Sequence, residues 1–149
     1  TGHRAVTTGR RTVLLALAAF PLAACSSGSS KDSQASPATG ASGNGAKVEV
    51  DAFKKQMAKE GARILDVRTP DEFASGHLEK AENIDVNAAD FASRMGALDK
   101  SLPWAVYCHS GNRSGVAVEA MVAAGFTDVV HLDGGIGDWE QAGNPVVKD

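Results

Sequence analysis

The chain has 149 residues, with 15 Lys and Arg against 18 Asp and Glu and a net charge of −3. The first 25 residues hold three arginines (Arg4, Arg10, Arg11) and no acid, so residues 26–149 carry −6. A domain this acidic lacks the basic face that nucleic acid or anionic lipid would need, which argues against both as its direct partners. The length suits one domain, and two cysteines, Cys25 and Cys108, argue against a disulfide framework.

Residues 1–25 show the three parts of an export signal: a basic stretch ending in Arg10-Arg11, an apolar run over 12–22, and small residues leading into Cys25. The apolar run is about half of the ~20 residues that a spanning helix needs, so a transmembrane anchor is the weaker reading. Leu22-Ala23-Ala24-Cys25 resembles the bacterial lipobox. That resemblance implies a lipidated Cys25 as the new N-terminus and an exported protein anchored to the outer face of the cell membrane. The plain alternative is cleavage after an alanine, leaving Cys25 as a free thiol. Arg10-Arg11 keeps both the general secretory and the twin-arginine routes open.

Residues 26–47 are dominated by Ser, Gly and Ala, with no aromatic or large aliphatic residue. Such a segment buries too little apolar surface to offset its ordering entropy and is expected to be a disordered tether. As a flexible coil it would average about 25 Å end to end.

From residue 48 onward, strand-like and helix-like runs alternate to residue 149. A strand is expected over 48–50, then a helix over 52–60 capped by Asp51, with Phe53 and Met57 on one face. A second strand over 63–67 leads to Thr69-Pro70-Asp71-Glu72, the signature of a short helix start. A third strand over 83–86 precedes a helix around 90–98 with Phe91, Met95 and Leu98 on one face. The run Trp104 to Tyr107 reads as a buried strand, and 116–124 as a buried helix closed by Gly125. A fifth strand over 128–132 is followed by Gly134-Gly135 and a short helix ending near Gly143. Such alternation predicts an α/β fold with a mainly parallel sheet. Ligands of these sheets sit beyond the carboxyl ends of the strands.

Cys108 stands at one of those ends, in the stretch Tyr107-Cys108-His109-Ser110-Gly111-Asn112-Arg113-Ser114. Backbone N–H groups at a helix start favour an anion, and they favour thiolate over thiol. Gly111 can adopt a positive φ and suits a tight curl. The loop is therefore a candidate active site with Cys108 as nucleophile.

Three separated segments resemble the single-domain rhodanese (sulfurtransferase) family. The first is Ile64-Leu65-Asp66-Val67-Arg68 with Glu72-Phe73, Gly76-His77-Leu78, Ala81 and Asn83-Ile84. The second is the loop from Cys108 to Arg113, and the third is Leu132-Asp133-Gly134-Gly135-Ile136 with Trp139. The resemblance implies a five-stranded parallel sheet with helices on both faces and Cys108 as a persulfide carrier. A sulfane sulfur would pass from a small donor such as thiosulfate to cyanide or a thiol, without metal or cofactor. His109, Ser110, Gly111, Asn112, Arg113 and Ser114 would form the persulfide loop, with N–H groups from roughly 110 to 114 converging on the sulfur.

Many loops of this family place Arg or Lys where His109 stands, which weakens the case for a strongly cationic thiosulfate pocket. Arg113 is read as an accessory charge that points either inward to the donor or outward to a carboxylate. Asp66 and Arg68 either reach the rim of the site or form a buried pair that steadies it. Cysteine phosphatases separate Cys and Arg by five residues; four intervene here, a ring better sized for one sulfur atom than for phosphate. A buried structural cysteine is the bland reading of Cys108. His77 and His131 read as structural, each with a hydrogen-bond partner, and the four histidines show no ligand spacing with Cys108. The alternative from another class is a non-catalytic rhodanese-like binding or sensory module at the cell surface.

Overall fold

The computed structural model describes residues 43–149. The predicted export signal, Cys25 and most of the predicted tether lie outside these residues. The boundary expected at residue 48 moves upstream. The Asn44 side chain donates to the Phe126 carbonyl at 2.7 Å and accepts the Val129 N–H at 3.0 Å, and the Gly45 N–H donates to the Val129 carbonyl at 2.6 Å. Polar and glycine residues are docked there by hydrogen bonds, which hydrophobic patterning does not register.

The elements run β1 (Ala46–Val48), α1 (Val50–Met57), β2 (Arg63–Asp66), α2 (Pro70–Ser75), β3 (Ala81–Asn83), α3 (Phe91–Gly96), β4 (Trp104–Tyr107), α4 (Asn112–Ala123), β5 (Val129–Leu132) and α5 (Gly135–Gln141). The five strands form one parallel sheet in the order β1-β5-β4-β2-β3. The α/β class and the five-stranded parallel sheet match the expectation.

Three element boundaries differ for local reasons. Glu49, not Asp51, occupies the cap position of α1; Asp51 lies in the first turn, where a carboxylate still complements the helix dipole. Pairing of β3 starts at Ala81, before the apolar residues, while Ile84 and Val86 still donate to the Asp66 and Val67 carbonyls. Helix α4 begins at Asn112, four residues before its apolar run, because the small polar loop residues form its first turn. By contrast, α2 starts as read: Thr69 and Glu72 form a capping box around Pro70.

Strand alternation divides the core in two. Leu65, Val67, Trp104, Val106, Cys108 and Val129 pack under α3 and α4 against Phe91, Met95, Ala117 and Met121. Ile64, Ala105, Tyr107, Val130 and Leu132 face the other way, against Phe53 of α1 and Ile136 and Trp139 of α5. Each layer is pinned by an edge-on aromatic pair: Trp104 with Phe126 at 6.3 Å between centroids, and Phe53 with Trp139 at 6.2 Å. Such pairs add about 0.5–1.5 kcal/mol beyond the area they bury.

The chain leaves β2 toward β3 and leaves β4 toward β5, in opposite directions from adjacent strands. A crevice at the carboxyl ends follows from that divergence. Cys108 is the residue that follows β4 there.

Candidate active site

Cys108 is fully buried, and its sulfur accepts the Gly111 N–H at 3.0 Å. The curl that makes this possible needs Gly111 at φ +90°, where an added Cβ would press on the Gly134 backbone nitrogen at 3.2 Å. The Ser114 hydroxyl lies 3.6 Å from the sulfur and donates to the Gly111 carbonyl at 3.0 Å. Burial pushes the Cys108 thiol up; hydrogen bonds from Ser114, Ser110 and Gly111 together outweigh it and hold the thiol below its ordinary value. The arrangement can hold a thiolate by hydrogen bonds.

The loop is backed by the start of α5. Gly135 has φ +63°, and a Cβ there would meet the His109 carbonyl oxygen at 2.6 Å. The Ile136 N–H donates to the Cys108 carbonyl at 2.9 Å. Gly134-Gly135 thus does more than turn the chain: it lets a helix start touch the loop backbone.

Arg113 points outward. Its two terminal nitrogens donate to the two oxygens of Glu72 at 2.8 Å each. Of the two orientations open from sequence, the inward one is not adopted, because this fork matches a carboxylate already held by the α2 capping box. The pairing draws the Glu72 carboxyl down to about 2, against the opposing pull of burial. His109, Ser110 and Asn112 are exposed at the rim.

Asp66 and Arg68 do not reach the sulfur. They form a buried pair on the opposite face, joined by Arg68 Nε and Nη2 to the Asp66 carboxylate at 2.6–3.0 Å. Arg68 also donates to the Gly76 carbonyl at 2.6 Å and lies over the Tyr107 ring at 5.6 Å. The Tyr107 hydroxyl accepts the Leu78 N–H at 3.1 Å, and Asn83 donates to the Asp66 and Arg68 carbonyls at 3.2 and 2.9 Å. Burial, then Asp66, push the Tyr107 phenol up, so it stays protonated. This network steadies the strand ends beneath the loop.

Two contributors were not singled out for the site from sequence. Glu72 carries a local capping signal, but its partner Arg113 lies 41 residues away. His131 contacts Ser114, Nδ1 to Oγ, at 3.1 Å. Its signal was a single polar residue on the face that Val129 shares with Cys108. Among the described residues, no helix is long and apolar enough to cross a membrane.

A family model described as rhodanese-like domain matches residues 49–142. The thiosulfate sulfurtransferase GlpE of Pseudomonas aeruginosa is 38% identical over 86 residues, covering 57% of this chain and 76% of that protein. Its namesake in Pseudomonas putida is 40% identical over 82 residues, covering 54% and 72%. Among solved structures, a rhodanese-related protein from Thermoplasma volcanium superposes with a TM-score of 0.62 at 29% identity, covering 70% of this chain and 99% of that one. A rhodanese-like domain protein from Staphylococcus aureus gives 0.59 at 25% identity, covering 70% and 98%. The chain belongs to the rhodanese-like domain family, and its relatives include sulfurtransferases.

Proposed function

We propose that the protein is a rhodanese-type sulfurtransferase in which Cys108 carries the sulfur as a persulfide. The observation that carries the reading is the Cys108 sulfur at a strand end, accepting the Gly111 N–H at 3.0 Å and held below its ordinary pKa. The Cys108 thiolate attacks the sulfane sulfur of thiosulfate; the new S–S bond forms as the old one breaks, and sulfite leaves with the bonding pair. Cyanide then attacks the outer sulfur and departs as thiocyanate, returning the thiolate. Alternatively a thiol acceptor takes the sulfur and becomes a persulfide. The kinetics are ping-pong, and the loop N–H groups hold the negative charge of each resting form.

Lipidation of Cys25 and a tether running from residue 26 to the docked Asn44 would hold this chemistry on the outer face of the bacterial membrane. Membrane fractionation of the full chain against Cys25→Ser tests that placement; equal release of both into the soluble fraction would sink it.

Mass spectrometry of the full chain after exposure to thiosulfate, polysulfide or a low-molecular-weight persulfide tests the chemistry. One added sulfur on Cys108, removed by cyanide and absent from Cys108→Ser, is the expected result. No added sulfur with any of these donors would overturn catalysis. Two observations favour a second reading, a docking or sensory module: Cys108 is fully buried, and Arg113 is occupied by Glu72. A Cys108→Ser variant that retained the full biological effect would decide for it.

A further inference from the structure

One buried titratable side chain beside Cys108 takes no part in the sulfur-transfer steps above. His131 is 7% exposed and sits on β5. Strand alternation puts it on the same face as Val129, under α4, next to β4, whose Val106 is its register partner. An imidazole among such neighbours is costly to bury without a partner. Its partner is the Ser114 hydroxyl, Nδ1 to Oγ, at 3.1 Å. Ser114 is itself fully buried, and the same oxygen stands 3.6 Å from the Cys108 sulfur. Gly115, lacking a side chain, leaves the room: a Cβ there would already touch His131 Cε1 at 3.5 Å.

A hydroxyl can donate one hydrogen bond while accepting another. The Ser114 hydrogen, which the Gly111 carbonyl accepts at 3.0 Å, can turn from that carbonyl to either neighbour, so Ser114 links sulfur and imidazole in two alternative polarities. With Cys108 as thiol, S–H points to Ser114 Oγ and the Ser114 O–H points to His131 Nδ1. With Cys108 as thiolate, the Ser114 O–H points to sulfur and an Nδ1–H points to Ser114 Oγ. Passing between them moves the sulfur proton to Oγ and the Oγ proton to Nδ1, and both polarities give up the Ser114–Gly111 hydrogen bond. The charges around the imidazole come from three elements or their ends. Lys47 is its register partner on β1, Asp133 follows β5, and Glu119 projects from α4. Burial and then Lys47 draw its pKa down, against Asp133 and Glu119, which favours the uncharged imidazole, whose Nδ1 can accept from Ser114.

We propose that His131 is a positioning residue for the nucleophile: through the Ser114 hydroxyl it takes the Cys108 proton when thiolate forms and returns it when Cys108 is released as a thiol. The proposal rests on the sulfurtransferase reading for its role in turnover, but the proton relay exists whether or not a donor is found. Sulfur loading begins from thiolate and depends on the relay. Cyanide stripping converts an anionic persulfide and cyanide to thiocyanate and thiolate, and requires no proton.

The test is the pH profile of iodoacetamide alkylation at Cys108 in the full chain, with peptide mass mapping to count Cys25 separately. Native protein is compared with His131→Asn, whose amide can still meet Ser114 but takes no proton. The relay raises the alkylation midpoint in H131N and slows alkylation at neutral pH by about three- to tenfold, since one pKa unit is tenfold in thiolate. Thiosulfate loading slows in parallel, while cyanide stripping of preloaded persulfide is unchanged. An H131N profile superimposed on the native one, at equal melting temperature, would overturn the proposal. Should H131N not fold, the imidazole nitrogen shifts of His131 are titrated in native protein and in Cys108→Ser. Loss of the thiolate partner lowers the His131 midpoint, and equal midpoints would overturn the relay. Failure of native protein to load sulfur from any donor would instead remove the sulfurtransferase reading, leaving the alkylation result standing.

Discussion

Two buried polar groups sit at the carboxyl edge of neighbouring strands, on opposite faces of the sheet, and they are built differently. Beneath α1 and α5, Asp66, Arg68, Tyr107 and Asn83 form a network in which a charge pair is locked by a fork and flanking carbonyls are occupied. Beneath α4, the single Ser114 hydroxyl stands among Cys108, His131 and the Gly111 carbonyl, between two titratable groups. The first holds full charges that have no means of leaving; the second holds protons that have more than one place to sit. Both are buried. What separates a strut from a reactive site is whether its hydrogen bonds can reverse, not how deep it lies.

The sharpest way to break this comparison is Asp66→Ala. It leaves the Arg68 guanidinium, 4% exposed, buried without its carboxylate, and removing one partner of such a pair costs about 3–5 kcal/mol. Against a typical stability of about 5–15 kcal/mol that is a large fraction. Chemical denaturation at low temperature should show it, while the Cys108 alkylation profile of the folded fraction stays native. A shifted thiol profile would mean that the strut and the site are one unit.

Gly135→Ala attacks the backing of the loop. A side chain at φ +63° pressed on the His109 carbonyl is expected to cost about 2 kcal/mol or more. If Cys108 carries sulfur as proposed, sulfur loading should fall together with melting temperature, because the Cys108 loop is displaced. Normal loading at a lowered melting temperature would show that α5 supports the domain but not the loop.

Glu72→Gln has the smallest expected effect. Its carboxylate is one-third exposed, so loss of the Arg113 fork should cost about 0.2–1 kcal/mol at neutral pH. The folded-state pKa of about 2 lies below the ordinary 4.5. The carboxylate therefore stabilises the fold above pH ~4.5, and that contribution is lost as pH falls toward ~2. The difference in melting temperature between native and E72Q should shrink over that window. A difference that stays constant down to pH ~2 would remove the ion pair as its cause.

Much of this was legible because it is local. The alternating runs, Pro70 with its capping box, Gly125 after α4 and the Cys108 loop each announce themselves within about ten residues. Docking of Asn44 and Gly45 was not, since it depends on the start of the neighbouring strand β5, some 80 residues away in sequence. His131 was legible as a polar residue in a buried strand and as needing a partner, but Ser114 as that partner was not. Arg113 was legible as a charge beside the loop, and its direction was not.

From sequence alone came the α/β class, the parallel sheet, the family resemblance and the position of the Cys108 loop at a strand end, all consequences of periodicity and short motifs. Only the tertiary structure decided which polar groups pair: Arg113 with Glu72, Asp66 with Arg68 on the far face, and Ser114 with both Cys108 and His131. The physical reason is one of range. Backbone propensity and hydrophobic period act over a few residues, whereas a buried hydrogen bond is chosen by whichever partners the packed sheet brings within about 3 Å.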